Sequence, residues 1–341
     1  MVTKIGLDLG YANISLCDAS YEVYREPSVA LIDKNSRRIL SVGHEALKED
    51  TVQGILVRPF KNGLLYSIEF TKEIIGSALS RIVSGDTVRC VVGVPSSLNT
   101  KQTAELARLI NEGGCEECFF VNRAVASVVG AGFAPTMSVI SVNIGASATE
   151  IAILHNGKII YSVGAEIGGE DFDEAVRSYI LKNGELNISL IDARAIKESI
   201  GAVWEGREAE PITVSGTLAL TGNKIKMSIG SEDILGVFEP PLHKLLSAVA
   251  EAIKTIPTEY AMDILENGII LSGGGAKLFG LDRMMQNVFG ISTVTMKDAE
   301  YCVARGLMAI CNFLPSRIRS SGKNITDKVA GYYSKSNEGK K

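Results

Sequence analysis

The residues best suited to chemistry fall in three short segments, each a run of β-formers ending at a small-residue turn. They are Gly6-Leu-Asp-Leu-Gly-Tyr-Ala-Asn13, Val142-Asn-Ile-Gly-Ala-Ser-Ala-Thr149 and Ile269-Ile-Leu-Ser-Gly-Gly-Gly275. In the first, Gly10 and Ala12 keep the turn small, so backbone N–H groups can approach phosphate oxygens. Tyr11 lies between them, and Asn13 adds a side-chain donor. Asp8 suits a hydrated Mg2+, an ion that keeps several of its waters; the alternative is a turn carboxylate satisfied by backbone N–H groups. Gly145, Ala146, Ser147 and Thr149 make a comparable second turn. Gly273, Gly274 and Gly275 let the backbone lie against a nucleoside. Together the segments predict two similar domains closing on one nucleotide.

A chain of 341 residues exceeds what one core usually accommodates, so two or more domains are expected. Hydrophobic content of 46% and a charged fraction of 22% fit a globular protein. The net charge of −4 argues against a nucleic-acid partner. No apolar run approaches the roughly 18 residues of a membrane span. Met1-Val-Thr-Lys-Ile-Gly6 enters a strand at once, which reads as a cytoplasmic start without a signal peptide. Six cysteines (Cys17, Cys90, Cys115, Cys118, Cys302, Cys311) sit mostly in apolar stretches, as reduced buried thiols do. Cys115-Glu-Glu-Cys118 has metal or redox spacing, but no second pair or nearby histidine supports it.

These segments need a scaffold to hold them. Lys4–Cys17 reads as strand, glycine turn and strand, followed by an extended stretch over Tyr21–Ile32. Residues 33–64 change character and read as an insertion with a brief helix near His44–Lys48. A helix over Phe70–Val83, a buried strand over Thr87–Val94, a helix from a Thr100 cap to Glu112, a strand over Cys118–Val121 and a helix over Ala124–Ala131 complete one unit. The pattern then repeats. Strands over Ser138–Asn143, Glu150–Leu154 and Ile159–Val163 precede a helix over Asp171–Leu181 and a second insertion, 182–236. Helix Leu242–Ile256, strand Gly268–Leu271, helix Leu278–Asn287, strand Ser292–Thr295 and helix Ala299–Asn312 close the second unit. Tandem duplication accounts for this order. The tail from 316 holds seven Lys/Arg against two acids. Its end, 331–341, reads as disordered, either simply solvated or attracted to anionic lipid.

The three segments resemble the phosphate-1, phosphate-2 and adenosine motifs of the actin, DnaK-type chaperone and sugar kinase superfamily. Within it, the chain is similar to the MreB family over roughly residues 3–314. Val57-Arg-Pro-Phe-Lys-Asn-Gly63, Val92-Gly-Val-Pro-Ser96, Gly268-Ile-Ile-Leu-Ser-Gly-Gly-Gly-Ala-Lys-Leu-Phe-Gly-Leu-Asp282 and Val303-Ala-Arg-Gly306 carry the likeness. The resemblance implies an α/β, actin-like (ribonuclease H-like) duplicated fold with a nucleotide cleft between two lobes. The first lobe core would be 1–32, 65–137 and 308–330, with a small subdomain over 33–64. The second would be 138–181 and 237–307, with a small subdomain over 182–236. It also implies ATP or ADP with Mg2+ at Asp8. Lys197 is either an adenine-side contact or an exposed helix lysine.

The departures are as informative. The family carries Asp where this chain has Asn143, and glycines where it has Ala146 and Ser147. It carries Glu-Glu-Pro where this chain reads Asn122-Arg-Ala124, and one of those glutamates positions the attacking water. Asn122 cannot take a proton and Arg123 stays charged, so hydrolysis is expected to be feeble. Tyr11 replaces a usual Thr, and Arg194 an adenine-side Glu. The resemblance implies a cytoskeletal protein that assembles head to tail with itself and is linked to cell shape or wall synthesis. The alternative is a catalytically silent nucleotide-sensing scaffold or co-polymer of an active MreB paralogue. A sugar or acyl kinase lacks its aspartate base here, and no chaperone substrate domain follows. Family filaments lie under the membrane, at a membrane surface or membrane protein; Ser96-Ser-Leu-Asn99 offers only one apolar residue for such contact, and an ordinary turn is the simpler reading.

Overall fold

The computed structural model describes residues 2–48, 54–61, 64–65, 68–82, 87–315 and 322–338. Asn62 and Gly63 of the Arg58 segment, Val83 of the first predicted helix, and Arg317, Arg319, Lys340 and Lys341 of the tail lie outside the described residues.

Two sheets carry the molecule, and they share one strand order. In the first, Val2–Leu9 pairs antiparallel with Asn13–Cys17, which pairs antiparallel with Val23–Pro27. On its other side Val2–Leu9 pairs parallel with Thr87–Val94, which is followed by Glu117–Asn122. In the second sheet, Val139–Ile144 takes the central place, with Thr149–His155 and Lys158–Ala165 antiparallel on one side and Ile269–Ser272 and Thr293–Thr295 parallel on the other. Each lobe therefore runs third, second, first, fourth, fifth, with the strand Lys323–Asn324 added at the outer edge of the first. The duplication read from element order is present in topology. Val139–Ile144 is buried throughout, as a strand covered on both faces must be.

The insertions form their own small sheets. Ala30–Asp33 pairs with Ile39–Val42 and Gly54–Val57, so the first small sheet begins three residues before the boundary drawn at 33. Ile212–Leu218 and Lys224–Ile229 pair in the second, beside helix Leu190–Ile200.

Each lobe has a core of its own, and a third apolar cluster joins them. It takes Val121 and Val128 from the first lobe, Val139, Leu154 and Ile270 from the second, and Val303 and Leu307 from the helix Cys302–Phe313. That helix crosses Arg123–Gly130 backbone to backbone. A Cβ on Gly130 would fall on the Cys302 carbonyl, and one on Gly306 would fall on the Ala126 carbonyl. Glycine at both positions permits the approach.

Two local expectations change. The helix Thr100–Glu112 is capped by Asn99: its side chain accepts from Gln102 N, and Gln102 returns the bond to Asn99 N. Cys115 and Cys118 are buried thiols, as their apolar surroundings implied, and Cys115 Sγ lies 2.9 Å from Cys90 Sγ. All six cysteines are buried and in no disulfide, and burial pushes Cys17 up to about 12 and Cys302 and Cys311 up to about 11. The tail read as disordered from 331 is helical over Val329–Glu338. Ile325 and Val329 bury in the joining cluster and the Phe313 and Tyr333 rings meet at 5.2 Å, so apolar docking outweighs the tail's polar composition.

Candidate functional site

The two glycine turns share the hydrogen bond that closes them. Gly10 N–H donates to the Asn13 carbonyl at 3.0 Å, and Gly145 N–H donates to the Ala148 carbonyl at 2.9 Å. One further carbonyl in each turn is held: Ser28 N–H donates to Ala12, two residues after Gly10, and Glu170 N–H to Ala146, one residue after Gly145. Among the described residues, the N–H groups of Tyr11, Ala12, Ala146, Ser147 and Ala148 have no protein partner. Unpartnered backbone donors in a tight turn make a concavity for anions. Both turns line one crevice between the lobes, with a volume of about 660 Å3, a size that suits a small-molecule ligand.

The predicted residues Asp8, Gly10, Tyr11, Ala12, Asn13, Asn143, Gly145, Ala146, Ser147, Thr149, Lys197, Gly273, Gly274 and Gly275 all line that crevice, as does Arg123. Their side chains are less free than the sequence suggests. Arg123 Nε donates to Asp8 Oδ1 at 3.0 Å, and its Nη2 donates to the Leu9 carbonyl at 2.5 Å. Both side chains of the pair are largely buried, at 13% and 19% exposure. Asn143 Nδ2 donates to Ser272 Oγ. The donors present do not fit the Mg2+ expected at Asp8: its carboxylate is taken by a guanidinium and position 143 is neutral. Among the described residues no cluster of three His, Cys, Asp or Glu could hold a metal.

Asn122 has a different task from the glutamate it replaces. Its Oδ1 accepts from Ala124 N and caps helix Arg123–Gly130, while its Nδ2 donates to Glu150 Oε1. Ser96 N and Oγ, across the crevice from Glu150, donate to the same oxygen at 3.0 and 2.9 Å. Sequence reasoning passed over Glu150 as a strand residue; its place directly after the second turn was the available signal. Glu150 is 7% exposed, and its Oε2 has no partner.

Burial pushes the Glu150 carboxyl above its ordinary value of 4.5, with Arg123 and the Ser96 and Asn122 donors opposing it. The folded chain thus holds this proton to higher pH than the unfolded chain. Between 4.5 and the raised value, this group's contribution to stability falls as pH rises. Glu150→Gln keeps an acceptor for Ser96 and Asn122 and removes the titration. Thermal melts from acidic to neutral pH should show a shallower decline in the variant, and a higher melting temperature than the natural chain at neutral pH.

At the other end of the crevice, Gly273 has φ +82° and packs against the Ile144 carbonyl, whereas a Cβ on Gly274 would meet nothing within 4 Å. The loop presses on the second glycine turn while its middle residue faces open space. Lys197 is neither an exposed helix lysine nor a free cation. It pairs with Asp173 Oδ1 at 2.5 Å and donates to the Gly169 carbonyl. Arg194 lines the crevice and pairs with Glu198 at 2.9 Å.

Tyr11 ties the first turn to both its neighbours. The Arg58 guanidinium lies over the Tyr11 ring at 4.9 Å and donates to the Tyr11 carbonyl. The Tyr11 hydroxyl neighbours Glu170, at the start of the second-lobe helix Gly169–Gly184, closely enough for each to shift the other's hold on its proton. Burial raises both the Tyr11 hydroxyl and the Glu170 carboxyl.

The sequence matches the MreB/Mbl protein family over residues 2–317. It is 31% identical over 316 residues to the cell shape-determining protein MreB of Escherichia coli (strain K12), spanning 89% of this chain and 91% of that one. The cell shape-determining protein Mbl of Bacillus subtilis (strain 168) is 26% identical over 312 residues, with 89% and 93% spanned. The structure of MreB5 of Spiroplasma citri bound to AMPPNP superposes with a TM-score of 0.83 at 25% identity, covering 90% of this chain and 95% of that chain. A MamK double helical filament shares the fold, with a TM-score of 0.79 at 22% identity over 92% and 100% of the two chains. With its duplicated sheets, its facing glycine turns and a family match along nearly its whole length, this chain belongs to the MreB/Mbl family of actin-like proteins.

Proposed function

We propose that this chain is a cell-shape cytoskeletal protein that binds ATP or ADP between its lobes, self-assembles head to tail and hydrolyses nucleotide weakly or not at all. One observation carries the nucleotide reading: five backbone N–H groups with no partner among the described residues, in two facing turns, line a single crevice. AMPPNP and ADP bound to MreB5 of Spiroplasma citri support it by analogy. The hydrolysis reading rests on Asn122, which caps a helix, and Arg123, which is paired with Asp8. Neither can accept a proton from water. Losing a positioned base costs about 10²–10⁴ in rate.

Self-assembly follows from a heterologous contact that does not close. Pelleting and electron microscopy of the full chain, with and without ATP, should show filaments. Monomers alone at high concentration would refute assembly.

A second reading is favoured by the same substitutions: a catalytically silent scaffold that co-assembles with an active paralogue. It is distinguished by filaments that form only when the paralogue is added. Among the described residues no helix is long and apolar enough to cross a membrane.

A further inference from the structure

The crevice contains a guanidinium where Asp8 was expected to hold a metal. The charges move in one direction. Asn143 removes the negative charge of the family's aspartate, and Arg123 puts a positive charge where the family carries a glutamate, so Asp8, Asn143 and Arg123 sum to zero without a metal ion. Space is made for the exchange: Gly93 lies beneath the arginine stem, where a Cβ would stand 3.3 Å from Arg123 Cγ. The arginine is also placed against local preference. It opens the helix Arg123–Gly130, and a cation at a helix N-terminus opposes the dipole. Asp8 and the Leu9 carbonyl offset that cost and fix the group. Arg123 Nη1 has no partner among the described residues.

A second cation lies on the same face. Asp8 pairs across the sheet with Ser15, and Ser15 with Arg25. Asp8, Ser15 and Arg25 all line the crevice. Two strand spacings put Arg25 about 10 Å from Asp8 along the sheet. The Arg25 guanidinium lies over the Tyr301 ring at 5.8 Å and acts on Glu300, while its Nε is buried without a hydrogen-bond partner. A buried unpaired donor is costly, so its natural complement is an acceptor that arrives with a ligand.

We infer that the crevice takes its nucleotide as the metal-free polyphosphate, with the Arg123 guanidinium in the divalent ion's place and Arg25 as a second cationic contact. This rests on the nucleotide reading above. Guanidinium groups suit the task, because they remain charged and match phosphate oxygens with paired donors.

The test is a titration of the full chain, stripped by chelation, with a fluorescent ATP analogue in EDTA and again in excess Mg2+. Affinity in EDTA should equal or exceed that in Mg2+. Arg123→Gln and Arg25→Gln should each weaken binding in EDTA by about tenfold or more, the loss of one charge-assisted hydrogen bond. Binding only in Mg2+, or at least about tenfold tighter in Mg2+, overturns the inference while leaving the nucleotide reading intact. No binding in either buffer, by a chain that remains folded by circular dichroism, overturns the nucleotide reading and this inference with it. The comparison on the natural chain decides the matter even if a variant does not fold. Full affinity of both variants in EDTA would refute the two arginine assignments.

Discussion

Arg123→Glu combined with Asn143→Asp is expected to raise ATP turnover in Mg2+ by about a hundredfold or more, within the 10²–10⁴ that a positioned base supplies. The first change removes the guanidinium that occupies Asp8 and places a carboxylate at the head of helix Arg123–Gly130, where the helix dipole favours it. The second places a second carboxylate on the end of Val139–Ile144, opposite the first turn. Each single variant should gain less than the pair, because the two positions serve one ion and one water and their effects are coupled. Arg123→Glu alone sets two carboxylates together with no charge between them, so it should be the less stable of the singles when Mg2+ is absent. Phosphate release under single-turnover conditions, measured beside nucleotide affinity, checks this. Unchanged turnover with intact binding would sink the assignment of these positions.

Gly306→Val is expected to destabilise the chain by about 3 kcal/mol or more, at the upper end for forcing bulk into a packed interior. The new side chain has no room to relax, because its Cβ would coincide with the Ala126 carbonyl rather than with a movable side chain. Gly130→Val should behave the same way, since its obstacle is the Cys302 carbonyl. These glycines lie where Arg123–Gly130 and Cys302–Phe313 cross, inside the cluster that joins the lobes. Separating the backbones there also disturbs Asn122 and Arg123, which begin one of the two helices. Denaturant unfolding should therefore show a lower midpoint, accompanied by weaker nucleotide binding in any residual folded protein. Gly331→Ala serves as the control, a helical position where an added methyl group would meet nothing within 4 Å.

Much of the fold was legible because its signals are local. Ile212–Leu218 and Lys224–Ile229 end where their alternating patterns end, and Thr87–Val94 is a plain apolar run. The order of elements in each half exposed the duplication that the shared strand order makes explicit. What failed locally did so for physical reasons. Asn99 and Thr100 are both good caps by composition, and only the reciprocal bond with Gln102 selects the first. The tail's polarity hid the few apolar residues that dock it.

The site divides in the same way. Its glycines were readable, because backbone turns impose residue types on the sequence. Its charge pairs were not, because Arg123 meets Asp8 and Lys197 meets Asp173 through tertiary proximity alone. Glu150 illustrates the limit. Beyond its place directly after the second turn, nothing in the strand Thr149–His155 distinguishes its one carboxylate from a surface residue until Ser96 and Asn122 converge on it.

The phenol of Tyr11 and the carboxylate of Glu170 belong to different lobes. Separating the two halves would bring water to both. Burial raises both groups, so hydration would return the carboxyl toward the ordinary range and favour its ionised form. The protonation of one carboxyl thereby reports how far apart the two halves stand.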